Sequence, residues 1–470
     1  MAERENETHD VIVAGAGPAG VLTAILLARR GHSVVLLAAG RARPRIEGLS
    51  QRVLDTLRAH GLSEAAATVG PEVERFVAWN GERSARNREH ITDRIAFDTA
   101  LLRDAEREGV RVLPVQRLTL DRATEGPAAR VTASDGGTRV LMGRFLVEAR
   151  GRSAPSARIR DVRGPATTAL VRRIEGGPSH RCTAVESFAE GWAWFVCDGD
   201  TAFLQIFVDS SGGLPKQGAL RDFFDAQARS LDTIPELLGD GHAVGAVMTR
   251  GARARLAADL IGANRLRVGD AAAAVDPLSG HGLFEALGSA LAASAVVHTM
   301  LERPENSGLA RRFYLERTKG GFQRYARVGR DFYALETRWL ERPFWCARAL
   351  WPDREAAHRP PDAEPARIES RPVIEAGFVV ESRVVVTADQ PRGIWRVAEV
   401  PLADLLDLLE ESQGLRLAAK RPALAQRLQT SEEQLATAIE WLRARRLLAT
   451  SDRILLYGEG LESVTEAAGQ

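Results

Sequence analysis

The chain has 470 residues, of which 45% are hydrophobic and 27% charged, a composition typical of a globular protein rather than a disordered or fibrous one. Its 63 Lys and Arg residues against 62 Asp and Glu leave a formal net charge of +1, so charge gives no reason to expect binding to nucleic acid or to a membrane. The basic residues include only three lysines, Lys216, Lys319 and Lys420.

Compartment signals favour the cytoplasm. The three cysteines are widely spaced and odd in number, which argues against a disulfide framework or a zinc site. The first ten residues lack the basic segment of a signal peptide, and glycines and a proline interrupt the apolar stretch 11–28. We therefore expect a soluble, cytoplasmic protein that does not span a membrane.

The N-terminal region contains a glycine-rich turn between a strand and a helix. Residues 11–14 form an apolar strand, residues 21–30 have a helical pattern, and residues 33–37 form the next strand. The first glycine of the turn permits its tight bend, the second lets the backbone approach a pyrophosphate, and the third lets helix and strand pack closely. The helix N-terminus then offers N–H groups to phosphates. The motif predicts a dinucleotide site formed by Gly15, Gly17, Pro18, Ala19 and Gly20.

One residue of the usual pattern is missing. The acidic side chain expected at the end of the second strand, where it would bind a ribose hydroxyl, is replaced by Ala38 and Ala39. We therefore expect the ribose to be bound by other groups. Arg41 in the next loop is a candidate cofactor contact, with a solvated loop as the alternative. The segment 94–110 resembles the helix-then-strand segment that follows the first βαβ unit in the para-hydroxybenzoate hydroxylase-like aromatic hydroxylases. That resemblance implies a cofactor contact at Arg94, with a surface salt bridge as the alternative.

A second motif follows a short strand at 265–269. It contains Asp270, and six residues later the run 276–282, which opens a long apolar helix with a Gly-His-Gly turn. Such a turn presents backbone N–H groups to a negative centre, for example the edge of a reduced flavin. The string GDAAAAVDPLSGHG resembles the second FAD-contact motif of the para-hydroxybenzoate hydroxylase-like aromatic hydroxylases and of flavin-dependent halogenases. The resemblance implies cofactor contacts at Gly269, Asp270, Pro277, Gly280, His281 and Gly282.

The two motifs predict an α/β fold with a Rossmann-type FAD-binding domain made of residues 1–165 and 256–352. Residues 166–255 switch to short apolar runs that predict an inserted β-rich substrate domain, with strands at 169–174, 184–188, 192–197 and 202–208. Within it, Trp192 and Trp194 partly match the Trp-x-Trp motif of the halogenases, and packing in the core is the alternative.

The C-terminal part reads as a separate module. The polar, proline-rich stretch 353–372 predicts a linker. Residues 373–470 predict a winged-helix-like domain, in which Ser431 caps the third helix. Its predicted strands are 378–386, 393–400 and 453–457, and its predicted helices are 402–411, 421–428 and 432–445.

The resemblance implies a single-component flavoprotein monooxygenase. In such enzymes NAD(P)H reduces FAD, which then uses O2 to transfer an oxygen atom to an electron-rich aromatic ring. Related halogenases use a lysine in the N-terminal half, and because no lysine precedes Lys216, we disfavour halogenation. A base that removes a substrate proton would assist hydroxylation. The candidates for this catalytic base are Glu47, Asp276 and His281.

The layout with an added C-terminal module resembles the flavoprotein monooxygenases of tryptophylquinone biogenesis. The resemblance implies that the aromatic substrate is a tryptophan in a precursor polypeptide of quinohaemoprotein amine dehydrogenase, captured by the module through strand augmentation. One alternative is a hydroxylase of a free or carrier-tethered small aromatic, with a module that serves dimerisation. The other is a flavin-bearing regulator that binds DNA, which the acidic residues Glu432, Glu433 and Glu440 disfavour.

Overall fold

A computed structural model describes residues 6–40, 45–123, 126–133, 136–155, 160–411 and 417–448. The predicted contact Arg41 and the predicted strand 453–457 lie outside these residues. The chain divides into two compact units. The first unit comprises Met1–Pro304 and Tyr314–Glu355, and the second comprises Glu305–Phe313 and Ala356–Gln470.

The first unit contains most of the strands and helices. Its strands are β1 Asn6–Ala14, β2 Val34–Ala38, β3 Ile46–Leu49, β4 Glu72–Trp79, β5 Glu82–Asp93, β6 Arg111–Ala123, β7 Gly126–Ala133, β8 Thr138–Glu148, β9 Val162–Arg163, β10 Thr167–Glu175, β11 Cys182–Phe188, β12 Gly191–Cys197, β13 Ala202–Asp209, β14 His242–Gly251, β15 Arg255–Leu256, β16 Arg265–Arg267 and β17 Ala273–Ala274. Its helices are α1 Pro18–Ala28, α2 Gln51–Ala59, α3 Ser63–Ala67, α4 Arg94–Arg107, α5 Gln217–Ala228, α6 Thr233–Leu238, α7 Gly282–Glu302, α8 Ser307–Ala334, whose first residues are assigned to the second unit, and α9 Pro343–Ala349.

A six-stranded sheet carries the dinucleotide-binding pattern, which confirms the predicted α/β fold class. β1 lies between β2 and β8, and all three are parallel, with β6 beyond β2 and β16 beyond β8. β7 pairs antiparallel with both β6 and β8. Residues 11–14 of β1 are fully buried, as expected for a central parallel strand covered on both faces.

Helix α7 packs against α1 in this unit. By length and composition it is the one helix, among the residues described, that could cross a membrane. More than half (56%) of its apolar stretch is nevertheless buried inside the protein, as in the core helix of a globular domain.

The second sheet of this unit has eight strands in the order β14, β10, β13, β12, β11, β4, β5, β3. All four strands predicted between residues 167 and 208 are confirmed as β10 to β13. The sheet also includes β3, β4 and β5, which the sequence alone places in the FAD-binding segment. β4 and β5 form a hairpin closed by Asn80 and Gly81, both with positive φ, which suits the twist of a two-residue hairpin turn.

The second unit combines small sheets with three helices around an apolar core. The predicted helices are present, and Ser431 caps the third one, as predicted; the Gln434 side chain accepts from the Ser431 N–H in return. The predicted linker 353–372 extends too far, because a strand already begins at Arg367. This strand contains Pro372, which is tolerated because the strand lies at the edge of its sheet. The predicted strand 393–400 is broken into three short ones. The elements are β18 Arg367–Glu375, β19 Phe378–Thr387, β20 Gln390–Ile394, β21 Arg396–Val397, β22 Val400–Pro401, α10 Leu402–Glu411, α11 Leu417–Arg427 and α12 Glu432–Ala444.

Candidate flavin and substrate site

The two glycine-containing motifs meet in space. Gly269, which has a φ of +57°, lies so close to the first helix that a Cβ built on it would be 2.8 Å from the Cβ of Ala19. Gly15 has a φ of +116°, and a Cβ there would lie 2.5 Å from the carbonyl oxygen of Ala149. Side chains at these two positions would therefore push the first motif away from the second motif and from the segment that follows β8 at Ala149.

These motifs border a cavity of about 900 Å³, which lies in the range of cofactor and ligand sites. One wall is formed by the N-terminus of α1, by residues 149–153 after β8 and by the second motif; the facing wall is the eight-stranded sheet. The predicted cofactor contacts Gly17, Pro18, Ala19, Arg94, Gly269, Asp270, Pro277, Gly280 and Gly282 all line it.

The dinucleotide end of the cavity has the groups that FAD requires. The N-terminus of α1 points its positive dipole end and its first N–H groups at the cavity, as an anion-binding helix does. Arg152 and Asp270 also line this end, with the Arg152 Nε 3.4 Å from the Asp270 carboxylate. Positive groups suit a pyrophosphate, and a carboxylate suits ribityl or ribose hydroxyls. The residues present therefore fit FAD.

Arg94 is a buried residue of the cavity, so the alternative of a surface salt bridge does not describe it. It begins α4, its Nη1 donates to Glu47 and its Nη2 donates to Asp98 at 2.7 Å. Its buried Nε has no hydrogen-bond partner among the described residues. A buried donor without a partner is costly, so this Nε is available to an acceptor atom of a ligand in the cavity.

Glu47, the first candidate base, is the acceptor of that Arg94 bond, and Arg45 approaches its other oxygen at 3.5 Å. Glu47 lines the cavity on β3. The two guanidinium groups hold the carboxylate as an ion-pair partner. The geometry therefore favours a role for Glu47 in fixing the position of the Arg94 side chain in the cavity wall.

Asp276, the second candidate, holds the turn that carries Pro277. Its carboxylate accepts from the Leu278 N–H at 3.0 Å and from the Tyr333 O–H at 3.1 Å, and Tyr333 in turn accepts from the indole N–H of Trp192 at 3.1 Å. Burial raises the pKa of Asp276, and its hydrogen bonds oppose that shift. This chain of three hydrogen bonds joins the turn that carries Pro277 to Trp192 on the opposite wall of the cavity.

His281, the third candidate, is not among the described residues that line the cavity. It precedes α7, and its ring packs against Tyr325 with centroids 4.9 Å apart. Burial lowers the pKa of His281, and its Nδ1 has no hydrogen-bond partner among the described residues. The geometry gives no support to His281 as a base in the cavity, because its neighbours Gly280 and Gly282 face the cavity instead.

The facing wall is built by strand register. Trp192 pairs with Phe207 and Trp194 pairs with Gln205 across β12 and β13, and because side chains alternate along a strand, these four share one face. The Trp192 ring stacks on Phe207 at 3.8 Å and is only 3% exposed, whereas Trp194 is half-buried. Trp192 is thus a core residue that borders the cavity, and Trp194 is a wall residue.

Sequence reasoning missed the polar residues of this wall. Arg75 and Glu89 come from the β4–β5 hairpin, Gln205 from β13 and Arg250 from β14. The Asn80-Gly81 pair was the signal for the hairpin. No motif marks the individual side chains, because they are brought together by register between distant segments.

Lysine is absent from the described residues that line the cavity. Lys216 precedes α5 and is exposed, and Lys319 is exposed on α8. The site therefore lacks the amine that the related halogenases use.

The fold and the cavity are those expected of a flavoprotein with a Rossmann-type FAD-binding domain. Residues 8–210 match the family described as FAD binding domain. The chain is 40% identical to the structure titled peptidyl tryptophan dihydroxylase QhpG, essential for tryptophylquinone cofactor biogenesis, over 94% of this chain and 100% of that one, with a TM-score of 0.79.

Halogenases are also similar to this chain. A tryptophan 2-halogenase of Chondromyces crocatus is 28% identical over 374 residues, which is 72% of this chain and 70% of that protein. The myxobacterial chondrochloren halogenase CndH shares the fold, with a TM-score of 0.62 and 23% identity over 73% of this chain and 86% of that one.

The chain belongs to the family of FAD-dependent monooxygenases that includes QhpG. The predicted family, the FAD cofactor and the monooxygenase class are thereby confirmed, with O2 and NAD(P)H as the co-substrates typical of the family.

Proposed function

We propose that the protein hydroxylates the indole ring of a tryptophan residue within a polypeptide, during the biogenesis of a tryptophan-derived quinone cofactor. The observation that carries this proposal is the 40% identity to a peptidyl tryptophan dihydroxylase over the whole of that protein. The aromatic wall supports it, because stacked and edge-on aromatic contacts orient an indole ring.

Bound FAD supplies the oxygen-transfer chemistry with NAD(P)H and O2. The protein's own residues bind and orient. Gly15 and Gly269 let the motifs close around the dinucleotide, Arg94 offers a buried donor, and Asp276 fixes the turn beside the ring. Trp194 and its neighbours on the sheet exclude water from the reacting face and position the substrate ring.

The lysine distribution favours hydroxylation over halogenation. Lys216, the first lysine of the chain, is exposed at the start of α5, outside the set of described residues that line the cavity. Oxygen transfer to an electron-rich ring needs no amine. Halogenation would need a lysine amine in the site, as in the related halogenases, and no lysine is among the described residues that line the cavity.

The second unit is the candidate for recognition of the polypeptide. β18 pairs with β19 on one side, and the described residues place no strand on its other side, so its edge offers main-chain groups to an extended peptide. DNA binding is disfavoured by the acidic first turn of α12, formed by Glu432 and Glu433.

The test uses the FAD-loaded full chain with NAD(P)H, isotopically labelled O2 and three substrates: the precursor polypeptide, a short tryptophan peptide and free tryptophan. The expected result is incorporation of label into a tryptophan of the polypeptide. Incorporation only into free small aromatics would support the small-molecule alternative and contradict the proposal.

The recognition role of the second unit has its own measurement. Hydrogen exchange of the full chain with and without the polypeptide should show protection of the β18 backbone amides. Protection confined to the cavity would assign recognition to the first unit.

A further inference from the structure

We propose that Glu89 is the carboxylate that accepts the proton of the substrate's ring hydroxyl, and that it thereby promotes a second hydroxylation of the same ring. The inference rests on the proposed function and names the residue that would separate a dihydroxylase from an enzyme that stops after one oxygen.

Glu89 lies on β5 and lines the cavity, with a side chain that is 12% exposed. The hydroxyl of Thr183 on β11 donates to its Oε1 at 2.6 Å, and the Arg75 Nε lies 3.8 Å from the same oxygen. One oxygen of the carboxylate is therefore held in place by two neighbouring strands.

The other oxygen occupies space that a glycine leaves open. A Cβ built on Gly48 of β3 would collide with Oε2 of Glu89, so the absence of a side chain at Gly48 lets the carboxylate reach this position. Among the described residues, no group is hydrogen-bonded to Oε2. Glu89 thus keeps an acceptor oxygen while its orientation is fixed, which is the arrangement a general base requires.

The other three carboxylates of the cavity are already engaged. Glu47 accepts from Arg94, and Asp276 accepts from a backbone N–H and from Tyr333. Asp270 lies at the dinucleotide end, beside Arg152. Glu89 is on the sheet that faces the motifs, on the same wall as Trp194.

The chemistry explains why a second hydroxylation needs such a group. In each round the ring, O2, NAD(P)H and one proton give a ring hydroxyl, NAD(P)⁺ and water; a C–O bond forms and the ring C–H hydrogen leaves as a proton. In the second round the first hydroxyl can also lose its proton. A phenolate is more electron-rich than a phenol, so moving that proton to Glu89 speeds electrophilic oxygen transfer, and the proton returns when the ring regains aromaticity.

The decisive variant is Glu89→Gln, which keeps the shape and an acceptor for the Thr183 hydroxyl but cannot take a proton. We expect normal FAD content and a ratio of second to first hydroxylation rates that is about 10²–10⁴-fold lower than in the wild type, the usual contribution of a general base. The mass spectrum of the polypeptide should therefore show the monohydroxylated form accumulating.

The pH profile separates a base from a structural residue. In Glu89→Gln the second hydroxylation should recover as the pH approaches the phenol's own pKa of about 10, because solvent then removes the proton. Glu82→Gln, on the same strand and exposed, is the matched control and should behave like wild type. Thr183→Val should slow the second step partially, because it loosens the carboxylate.

Three outcomes would overturn the inference. An unchanged ratio of mono- to dihydroxylated product in Glu89→Gln would remove Glu89 from the reaction and leave the proposed function standing. Loss of bound FAD in that variant would make the residue structural. If the wild-type enzyme hydroxylates no polypeptide, the proposed function falls and this inference with it.

Discussion

Replacing Gly269 with alanine should weaken the junction between the two cofactor motifs. The cost in free energy has two parts, one from backbone strain and one from a steric clash. The backbone at Gly269 has a φ of +57°, which costs an L residue about 1–2 kcal/mol. The new Cβ would also lie 2.8 Å from that of Ala19, whereas carbon atoms pack at about 3.5–4.0 Å. Overpacking of this kind costs about 1–3 kcal/mol, so the total should be about 2–5 kcal/mol.

A double-mutant cycle isolates the contact. Ala19→Gly alone should cost up to about 1 kcal/mol in helix propensity, but in the Gly269→Ala background it removes the clash. We expect a favourable coupling of about 1–3 kcal/mol, which is about 5–150-fold in an equilibrium constant, and a remaining cost from backbone strain. Urea unfolding of the apoprotein and quenching of flavin fluorescence on binding measure it in two independent ways.

Gly280→Ala is the matched control. Its φ of +67° imposes a similar strain, but a Cβ there meets nothing within 4 Å, so Ala19→Gly should not rescue it. If Gly269→Ala and Ala19→Gly are additive to within about 0.5 kcal/mol, the two motifs do not touch as described and the reasoning is refuted.

Three further predictions concern groups away from that junction. Ellman's reagent at mildly alkaline pH should modify the exposed Cys346 in the native protein and spare Cys182, because burial raises the pKa of Cys182 to about 11; modification of both at equal rates would contradict this. His32 and His298 share a 2.8 Å hydrogen bond, and burial lowers the pKa of each. Because the unfolded chain then binds more protons than the folded one, the protein should lose stability as the pH falls below about 6.5. The melting temperature should follow that loss, less steeply in His298→Gln, and a flat wild-type profile would refute it. Arg94→Gln removes the positive charge that Glu47 and Asp98 share, and it should lower the free energy of unfolding, measured in urea, by about 3 kcal/mol. A loss of less than about 1 kcal/mol would contradict this prediction.

The parts of the molecule that were predictable are those encoded by contiguous residues. The turn at Gly15 and the run that ends at Gly282 each combine a turn, a helix N-terminus and an apolar pattern, so local physics gives both position and purpose. The strands at 169–174 and 202–208 are likewise apolar, short and bounded by turns.

The facing wall was not predictable in the same way. β5 reads ERSARNREHITD, a charged run without the alternation of a half-buried strand. Glu89 can be largely buried there because Thr183 supplies a hydroxyl and Gly48 has no side chain. Those partners belong to separate strands, which only the three-dimensional register joins. Pattern reasoning sees each of these residues alone and assigns none of them a role.

The eight-stranded sheet takes β3, β4 and β5 from residues 46–93 and its other five strands from residues 166–255. This division has a practical consequence for engineering substrate scope. A chimaera that exchanged only residues 166–255 with a relative would import new β10 to β14 but retain the old β3, β4 and β5, and so would join half of one wall to half of another. The graft would break the parallel seam between β4 and β11 at which Arg75 pairs with Thr183. The transplantable unit is the sheet rather than the insertion, and residues 46–93 must travel with it.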